Sequence, residues 1–321
     1  MVAKLTDVAA LAGVSPTTVS RVINKKGYLS KKTIQKVEAA MKELSYKPNN
    51  LARSLQGKSA KLVGLIFPTV NHIFFAELIS YLEEELFNRG YKIILCNSQH
   101  DSEKEKEYLE MLEANQVDGI ISGSHNLGIE DYNQVNAPII SFDRNLAPDI
   151  TVVSSDNYLG GQLAGQRLKD LGCQQTLVLT GSDNSNSPTG LRQVGFRESF
   201  PDAPVIKIAG DLAIQDKQEI IRQILQEEQP DGIFTTDDLT AITVEQVARE
   251  LGIHIPDQLK LIGYDATSFI QHYHPHLTTL KQPIKEIAQL LVELLMKKLH
   301  EEPLEQTCYT LPVNLLNGTT A

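Results

Sequence analysis

Between Leu5 and Asn24 the chain stops one helix and starts another within four residues, and that break dictates what can be built around it. Thr6 is placed to cap a first helix with its hydroxyl. Val8, Leu11 and Ala12 then recur at helical spacing. Gly13 ends the run, because glycine accepts the left-handed conformation without steric cost. Ser15 can cap a second helix, with Pro16 in its first turn, where a missing N–H costs nothing. Val19, Val22 and Ile23 give that helix an apolar face and leave Thr17, Thr18, Ser20 and Arg21 pointing elsewhere. Two short helices joined by a tight glycine turn are the helix-turn-helix motif, whose second helix enters the DNA major groove. A plain helical pair packed on a larger body has the same spacing. It does not explain why the outward residues are small polar groups or arginine, which reach base edges and phosphates.

Charge points the same way. The 321-residue chain has a net charge of −10, which alone argues against nucleic acid. Residues 1–61, however, hold 12 Lys+Arg against 3 Asp+Glu, a local +9, which leaves −19 for the rest. A basic head on an acidic body is the asymmetry of a DNA-binding module joined to something else. Cys96, Cys173 and Cys308 are far apart and in no metal-ligand spacing, which suggests a reducing compartment and no disulfide framework. The first residues lack an apolar signal-peptide core and no apolar run reaches about 18 residues. The expectation is a cytoplasmic protein with no membrane partner.

Ser30 caps a third helix bearing Ile34, Val37, Met41 and Leu44 on one side, and Tyr46-Lys47-Pro48 closes a helical domain of residues 1–47. Residues 48–59 are short and polar, with Leu51 and Leu55 four apart. A helix that short is unstable alone in water, so it forms only under a partner or DNA; otherwise it is a linker. From residue 60 the pattern alternates. Strands fall at Leu62–Pro68, Lys92–Asn97, Gly119–Ser122, Pro138–Phe142, Thr176–Thr180, Val205–Ile208, Gly232–Thr235 and Leu259–Tyr264. Helices fall at Phe75–Arg89, Ser102–Asn115 (with Ser102 and Glu105 as a capping box), Asn157–Leu171, Gly190–Phe200, Gln215–Glu228, Leu239–Leu251 and Ile284–Leu299. Such alternation, in two runs of about 100 residues, means two parallel-sheet α/β subdomains with ligands bound beyond the carboxyl ends of the strands. The division expected is an N-subdomain of about 60–155 and 284–312, and a C-subdomain of about 156–283 and 313–321. Gly160, Gly161 and Gly165 suggest close helix packing more than a nucleotide loop.

The chain resembles, over its full length, the lactose-repressor family of bacterial transcription regulators. The residues that carry this are Asp7-Val8-Ala9 through Gly13-Val14-Ser15, Thr18-Val19-Ser20-Arg21-Val22, Tyr46-Lys47-Pro48-Asn49, Val117-Asp118-Gly119-Ile120, Ile262-Gly263-Tyr264-Asp265, and Leu277-Thr278-Thr279-Leu280-Lys281-Gln282-Pro283. Within the family it is most similar to the sucrose operon repressors of low-GC Gram-positive bacteria, on Ser15-Pro16-Thr17-Thr18, Asn24-Lys25-Lys26-Gly27-Tyr28-Leu29 and Ser124-His125-Asn126-Leu127-Gly128-Ile129. The resemblance implies a three-helix DNA-binding head, a hinge helix within 48–59 and a core of periplasmic-binding-protein type. It implies a homodimer on a near-palindromic operator. DNA contacts are then expected from Thr6, Ser15, Pro16, Thr17, Thr18, Ser20, Arg21, Asn24 and Tyr28, and from Asn49, Leu51, Ala52 and Leu55 in the hinge. Proline at the first reading position has no donor, so Arg21 carries more of the base discrimination than usual. Leu55 matches the leucine that wedges into the minor groove.

For the effector, the resemblance points to Asp143, Arg192, Asp237, Asp265 and Gln282, with Phe74 and Phe75 as stacking walls. Asp237 also reads as a helix cap, Asp265 as a loop brace and Phe74 as ordinary core. Three carboxylates with one arginine favour a neutral sugar, and a sugar phosphate requires a helix N-terminus, His72 or His125 to meet the phosphate. The implied mechanism is induction: a sugar closes the cleft and weakens DNA binding. A regulator of another carbohydrate, or one that needs a corepressor, fits the same residues. No cofactor or metal is expected. The run His272-Tyr273-His274-Pro275-His276 reads first as a surface loop. Phosphate-loop, nucleophile-elbow and zinc-protease motifs are lacking, which disfavours an enzyme, and the basic head disfavours an exported solute-binding protein.

Overall fold

The computed structural model describes residues 3–23, 27–46, 59–124, 126–181, 187–210 and 212–321. The chain divides into two units, Met1–Ala60 and Lys61–Ala321.

In the first unit lie helices α1 (Leu5–Ala12), α2 (Pro16–Ile23) and α3 (Lys31–Glu43). Gly13 takes the left-handed conformation at φ +66°, and its amide and that of Val14 close α1 onto Ala10 and Ala9. Ser15 caps α2 by accepting from the Thr18 amide at 3.2 Å, and Ser30 caps α3 by accepting from Thr33 at 3.1 Å. Two expectations fail here. Thr6 is not the cap of α1: the helix begins a residue earlier, and Asp7 reaches back to accept from the Lys4 amide at 2.8 Å. Leu11 is exposed; Val8, Ala9 and Ala12 are the residues that turn inward, against Val19, Val37 and Ala40.

The second unit carries two six-stranded sheets. The first lobe's sheet has the order β11 (Cys308–Leu311), β5 (Thr151–Ser155), β4 (Ile139–Phe142), β3 (Gly119–Ser122), β1 (Leu62–Phe67) and β2 (Lys92–Asn97). The second lobe's order is β12 (Asn314–Leu316), β10 (Thr278–Lys281), β9 (Lys260–Asp265), β8 (Gly232–Thr235), β6 (Thr176–Thr180) and β7 (Val205–Lys207). Every pairing is parallel except that of β12 with β10. Apolar clusters cover both faces of each sheet, which is why strands such as Leu62–Phe67 are near-continuous hydrophobic runs.

Helices α4 (Ile73–Asn88), α5 (Ser102–Ala114), α6 (Ile129–Asn133) and α12 (Ile284–Leu299) belong to the first lobe. The second holds α7 (Asn157–Asp170), α8 (Pro188–Arg197), α9 (Ile214–Glu227), α10 (Asp238–Leu251) and α11 (Ser268–Tyr273). The chain crosses between lobes three times, after Ser155, Lys281 and Leu311. The short elements β5, α6, α11, β10, β11 and β12 escape the sequence pattern.

The expected Ser102–Glu105 capping box does not form. Asp101 caps α5, accepting from Glu103 at 2.9 Å and Lys104 at 3.2 Å. Glu105 is instead fully buried, accepting from Ser124 Oγ at 2.6 Å, from Asn126 Nδ2 at 2.7 Å and from the Tyr132 hydroxyl. That hub pins the loop after β3. Burial, and the carboxylate it bonds, push the Tyr132 hydroxyl far above the ordinary tyrosine range.

Candidate functional site

On the head, α2 presents Pro16, Thr17 and Arg21 to solvent, while Thr18 and Ser20 are half-buried. The Ser15 and Thr18 hydroxyls bond each other at 2.9 Å, so both serve the cap. Thr17 and Arg21 remain as the outward polar groups of α2, and Thr6 is exposed on α1. Tyr28 is 99% exposed, an unusual position for an aromatic ring with no surface to cover it. Asn24, Asn49, Leu51, Ala52 and Leu55, and with them the expected hinge helix, lie outside the described residues.

Within the core a cavity of about 220 Å³ opens between the lobes. All seven residues expected at an effector site line it: Phe74, Phe75, Asp143, Arg192, Asp237, Asp265 and Gln282. Each is placed by a local cause. Asp143 follows β4 and Asp265 ends β9, both with positive φ (+65° and +117°), a conformation rare for residues with a side chain. The turn aims each carboxylate into the cleft. Arg192 sits deep because α7 and α8 touch backbone to backbone. A Cβ on Gly161 would stand 1.9 Å from the Arg192 carbonyl oxygen, and one on Gly195 would stand 2.1 Å from that of Tyr158. Asp237 caps α10, accepting from the Thr240 amide at 2.8 Å and hydroxyl at 2.7 Å, so it has the capping role as well as a place in the wall. Phe74 is likewise both: it is buried in the first lobe's core and stacks on Phe142 at 5.7 Å.

Two amides stitch the lobes together beneath this cavity. The buried Asn157 accepts from Arg192 Nε at 2.8 Å and donates to Asp143 Oδ1 at 3.0 Å. Gln282 accepts from Ser155 Oγ at 2.7 Å and donates to Asp265 Oδ1 at 2.7 Å. A guanidinium only donates and a carboxylate only accepts, so the orientation of Asn157 follows from its neighbours. Arg192 also donates to the Thr236 carbonyl at 2.6 Å and lies 3.6 Å over the Tyr264 ring. Burial raises the Asp265 carboxyl to about 6, against the pull of Arg192 and His72. Its neighbour Asp238 is raised well above the usual range by burial and by the Asp265 charge, although it accepts from Thr279 Oγ1 at 2.6 Å and the Ala266 amide at 2.7 Å.

The sequence reading missed Asn157, Phe142, Thr236, His100 and Arg144. The first fills the gap between two expected residues, and the others line the cavity from strand ends and loops. Phe142 ends β4, and Thr236, Arg144 and His100 fall one, two and three residues past strand ends, the only local mark those four carry. His72 lines the cavity at the cap of α4; His125 lies outside the described residues. A separate clasp joins the lobes away from the crossover segments. The Ser268 amide and hydroxyl both donate to Glu77 Oε2 at 2.7 Å, and Ile73 packs on the second lobe's core.

Residues 4–49 match the model of the bacterial regulatory proteins of the lacI family, and residues 165–321 match the periplasmic binding protein-like domain. The chain is 64% identical over 318 residues to a sucrose operon repressor of Streptococcus mutans, covering 99% of both proteins. The chain belongs to the lacI family.

As a lacI-family protein it is a DNA-binding regulator and not an enzyme. Among solved structures, the Lac repressor dimer bound to operator and the anti-inducer ONPF is similar with a TM-score of 0.86 and 28% identity, covering 100% of this chain and 99% of that one. A periplasmic binding protein/LacI transcriptional regulator from Alkaliphilus metalliredigens, complexed with D-xylulofuranose, is similar with a TM-score of 0.73 and 32% identity, covering 81% of this chain and 99% of that one. No helix among the described residues is long and apolar enough to cross a membrane.

Proposed function

We propose that this chain is a cytoplasmic, homodimeric repressor of a sucrose-utilisation operon. It grips a near-palindromic operator through α2 and lets go when a sugar closes the cleft of the core. Residues 1–47 read the DNA, residues 48–59 link reader to sensor, and the core from residue 60 senses the sugar. The observation that carries this is the cavity itself. Aromatic rings from one lobe face Arg192, Asp237 and Asp265 from the other, in a chain that shares 64% identity with a sucrose operon repressor. Carboxylates and arginine make paired hydrogen bonds to vicinal hydroxyls, and rings stack on the apolar face of a sugar. A ligand that bonds both walls is bound more tightly by the closed core, and that difference in affinity shifts the equilibrium.

A sugar phosphate is a second reading, supported by Arg144 beside Arg192 and by the His72 and His100 rings in the same cavity lining. Three carboxylates and one arginine favour a neutral sugar; two arginines and two histidines narrow that preference.

Calorimetric titration with sucrose, fructose and their monophosphates tests both readings. One of the four is expected to bind stoichiometrically and raise the melting temperature. Binding confined to unrelated ligands such as purines refutes the sugar assignment.

A further inference from the structure

The histidine run after α11 looks different once the fold is known. Glu245, 29 residues before His274 in sequence, stands on α10 beside the turn that carries His274 and His276. His276 Nε2 lies 3.0 Å from both Glu245 carboxylate oxygens. The His274 ring is 5.8 Å from the His276 ring, and one ligand atom from each of the three residues lies within 4.8 Å of the others. Among the described residues no other set of three or more histidine, cysteine and carboxylate groups meets this closeness.

The turn is held before any ion arrives. The Leu277 amide donates to the His274 carbonyl at 3.0 Å, and the Thr319 amide donates to the His276 carbonyl at 2.7 Å. Gly318 packs so closely that a Cβ there would stand 2.2 Å from the His276 carbonyl oxygen. Thus the backbone of His276 is fixed by the C-terminal segment, and Glu245, half-buried on a 14-residue helix, is fixed by α10. Only the His274 ring has to turn. Tetrahedral zinc with bonds near 2.0–2.1 Å sets neighbouring ligand atoms about 3.3 Å apart, which the His276–Glu245 pair already approaches. Among the described residues Arg249 also reaches Glu245, 3.5 Å away with a side chain 77% exposed, so it can swing into water.

We propose that Glu245, His274 and His276 form a binding site for a divalent transition-metal ion, with Zn²⁺ as the best match. Two imidazoles and one carboxylate are borderline donors that suit zinc and leave a fourth position to water. The ion staples α10 to the turn at 274–276. That turn follows α11, whose Ser268 meets Glu77 of the other lobe, so the metal stiffens the segment that bears the interlobe clasp.

The test uses untagged full-length protein stripped with EDTA, titrated with Zn²⁺ by calorimetry and with Co²⁺ by visible absorption. Expected are one ion per chain, a melting temperature about 5 °C higher at a hundredfold excess over Kd, and the intense visible bands of low-symmetry Co²⁺. The H274A/H276A double variant should keep the metal-free melting temperature and lose both responses. E245Q should weaken Zn²⁺ at least about tenfold, because an amide is a poorer ligand than a carboxylate. No binding by the parent chain, or binding unchanged in the double variant, overturns the proposal.

Discussion

The two walls of the cleft are unlike. The first lobe supplies the phenyl rings at the cavity, Phe74, Phe75 and Phe142, with Asp143 and Arg144 beside them. The second supplies Arg192, Asp237, Asp265 and Thr236, whose groups bond one another or the backbone around them. The difference teaches that neither wall alone is a sugar site. Rings give contact area without direction, while buried charges give direction at a desolvation cost that a hydroxyl-rich ligand offsets. A ligand bridging both walls favours closure, and closure is what the account requires of an effector.

The largest expected effect is on the charged wall. Arg192→Ala leaves Asn157 and the Thr236 carbonyl without their donor and Asp265 without its nearest compensating cation. It should abolish sugar binding by calorimetry, more than about a hundredfold, and cost roughly 3 kcal/mol of stability in urea melts. A variant that binds sugar normally would mean that the charged wall is only a structural brace.

Asp265→Asn is expected to weaken the sugar about tenfold and to change the pH response. The folded-state carboxyl sits at about 6, above its unfolded value near 3.8. The protonated acid is therefore the form that folding favours, and its stabilisation is complete below about pH 4 and lost as pH rises to about 6. The charges of Arg192, His72 and Asp237 act on Asp265, and Asp238 is itself raised by burial and by the Asp265 charge. Urea melts from pH 4 to 7 should show the parent losing up to roughly 3 kcal/mol relative to the Asn variant across that interval. Parallel curves would contradict the assignment.

On the aromatic wall, Phe74 and Phe75 separate packing from recognition. Phe74→Ala removes a buried ring from the core and should cost about 4 kcal/mol of stability. Phe75 is half-buried, so Phe75→Ala should spare most of the stability and weaken the sugar roughly five- to tenfold, as calorimetry reads it. The smallest effect belongs to the clasp. Glu77→Gln keeps the shape but halves the acceptor strength offered to Ser268, and should loosen sugar binding only about threefold. A larger loss would move the switch from the walls to the clasp.

Much of this was legible in the sequence where a residue type has one physical use. Gly13, Ser15 and Pro16 dictated the turn of the head, whereas the cleft aspartates came from the family resemblance. Thr6 was misread because a capping hydroxyl and a first-turn threonine look alike in sequence, and Asp7 made the cap instead. Glu105 was misread for a similar reason: the capping-box spacing is real, but a buried demand from Ser124, Asn126 and Tyr132 outbid it. Asn157, and the approach of Glu245 to His276, have no local signal at all, since both arise from tertiary contact. The three crossover strands, Thr151–Ser155, Thr278–Lys281 and Cys308–Leu311, mix polar with apolar residues and so lack the apolar run that marks a buried strand.

The central claim is that a sugar between unlike walls sets the grip of the helical head on DNA. Fluorescence anisotropy with a labelled palindromic duplex, selected from a random pool by the protein itself, tests it directly. With the sugar identified by calorimetry, the parent should lose duplex affinity by about 5- to 150-fold, whereas Arg192→Ala should bind the duplex and ignore the sugar. Equal duplex affinity with and without every bound sugar, or no preference for any duplex over random competitor, would contradict the account.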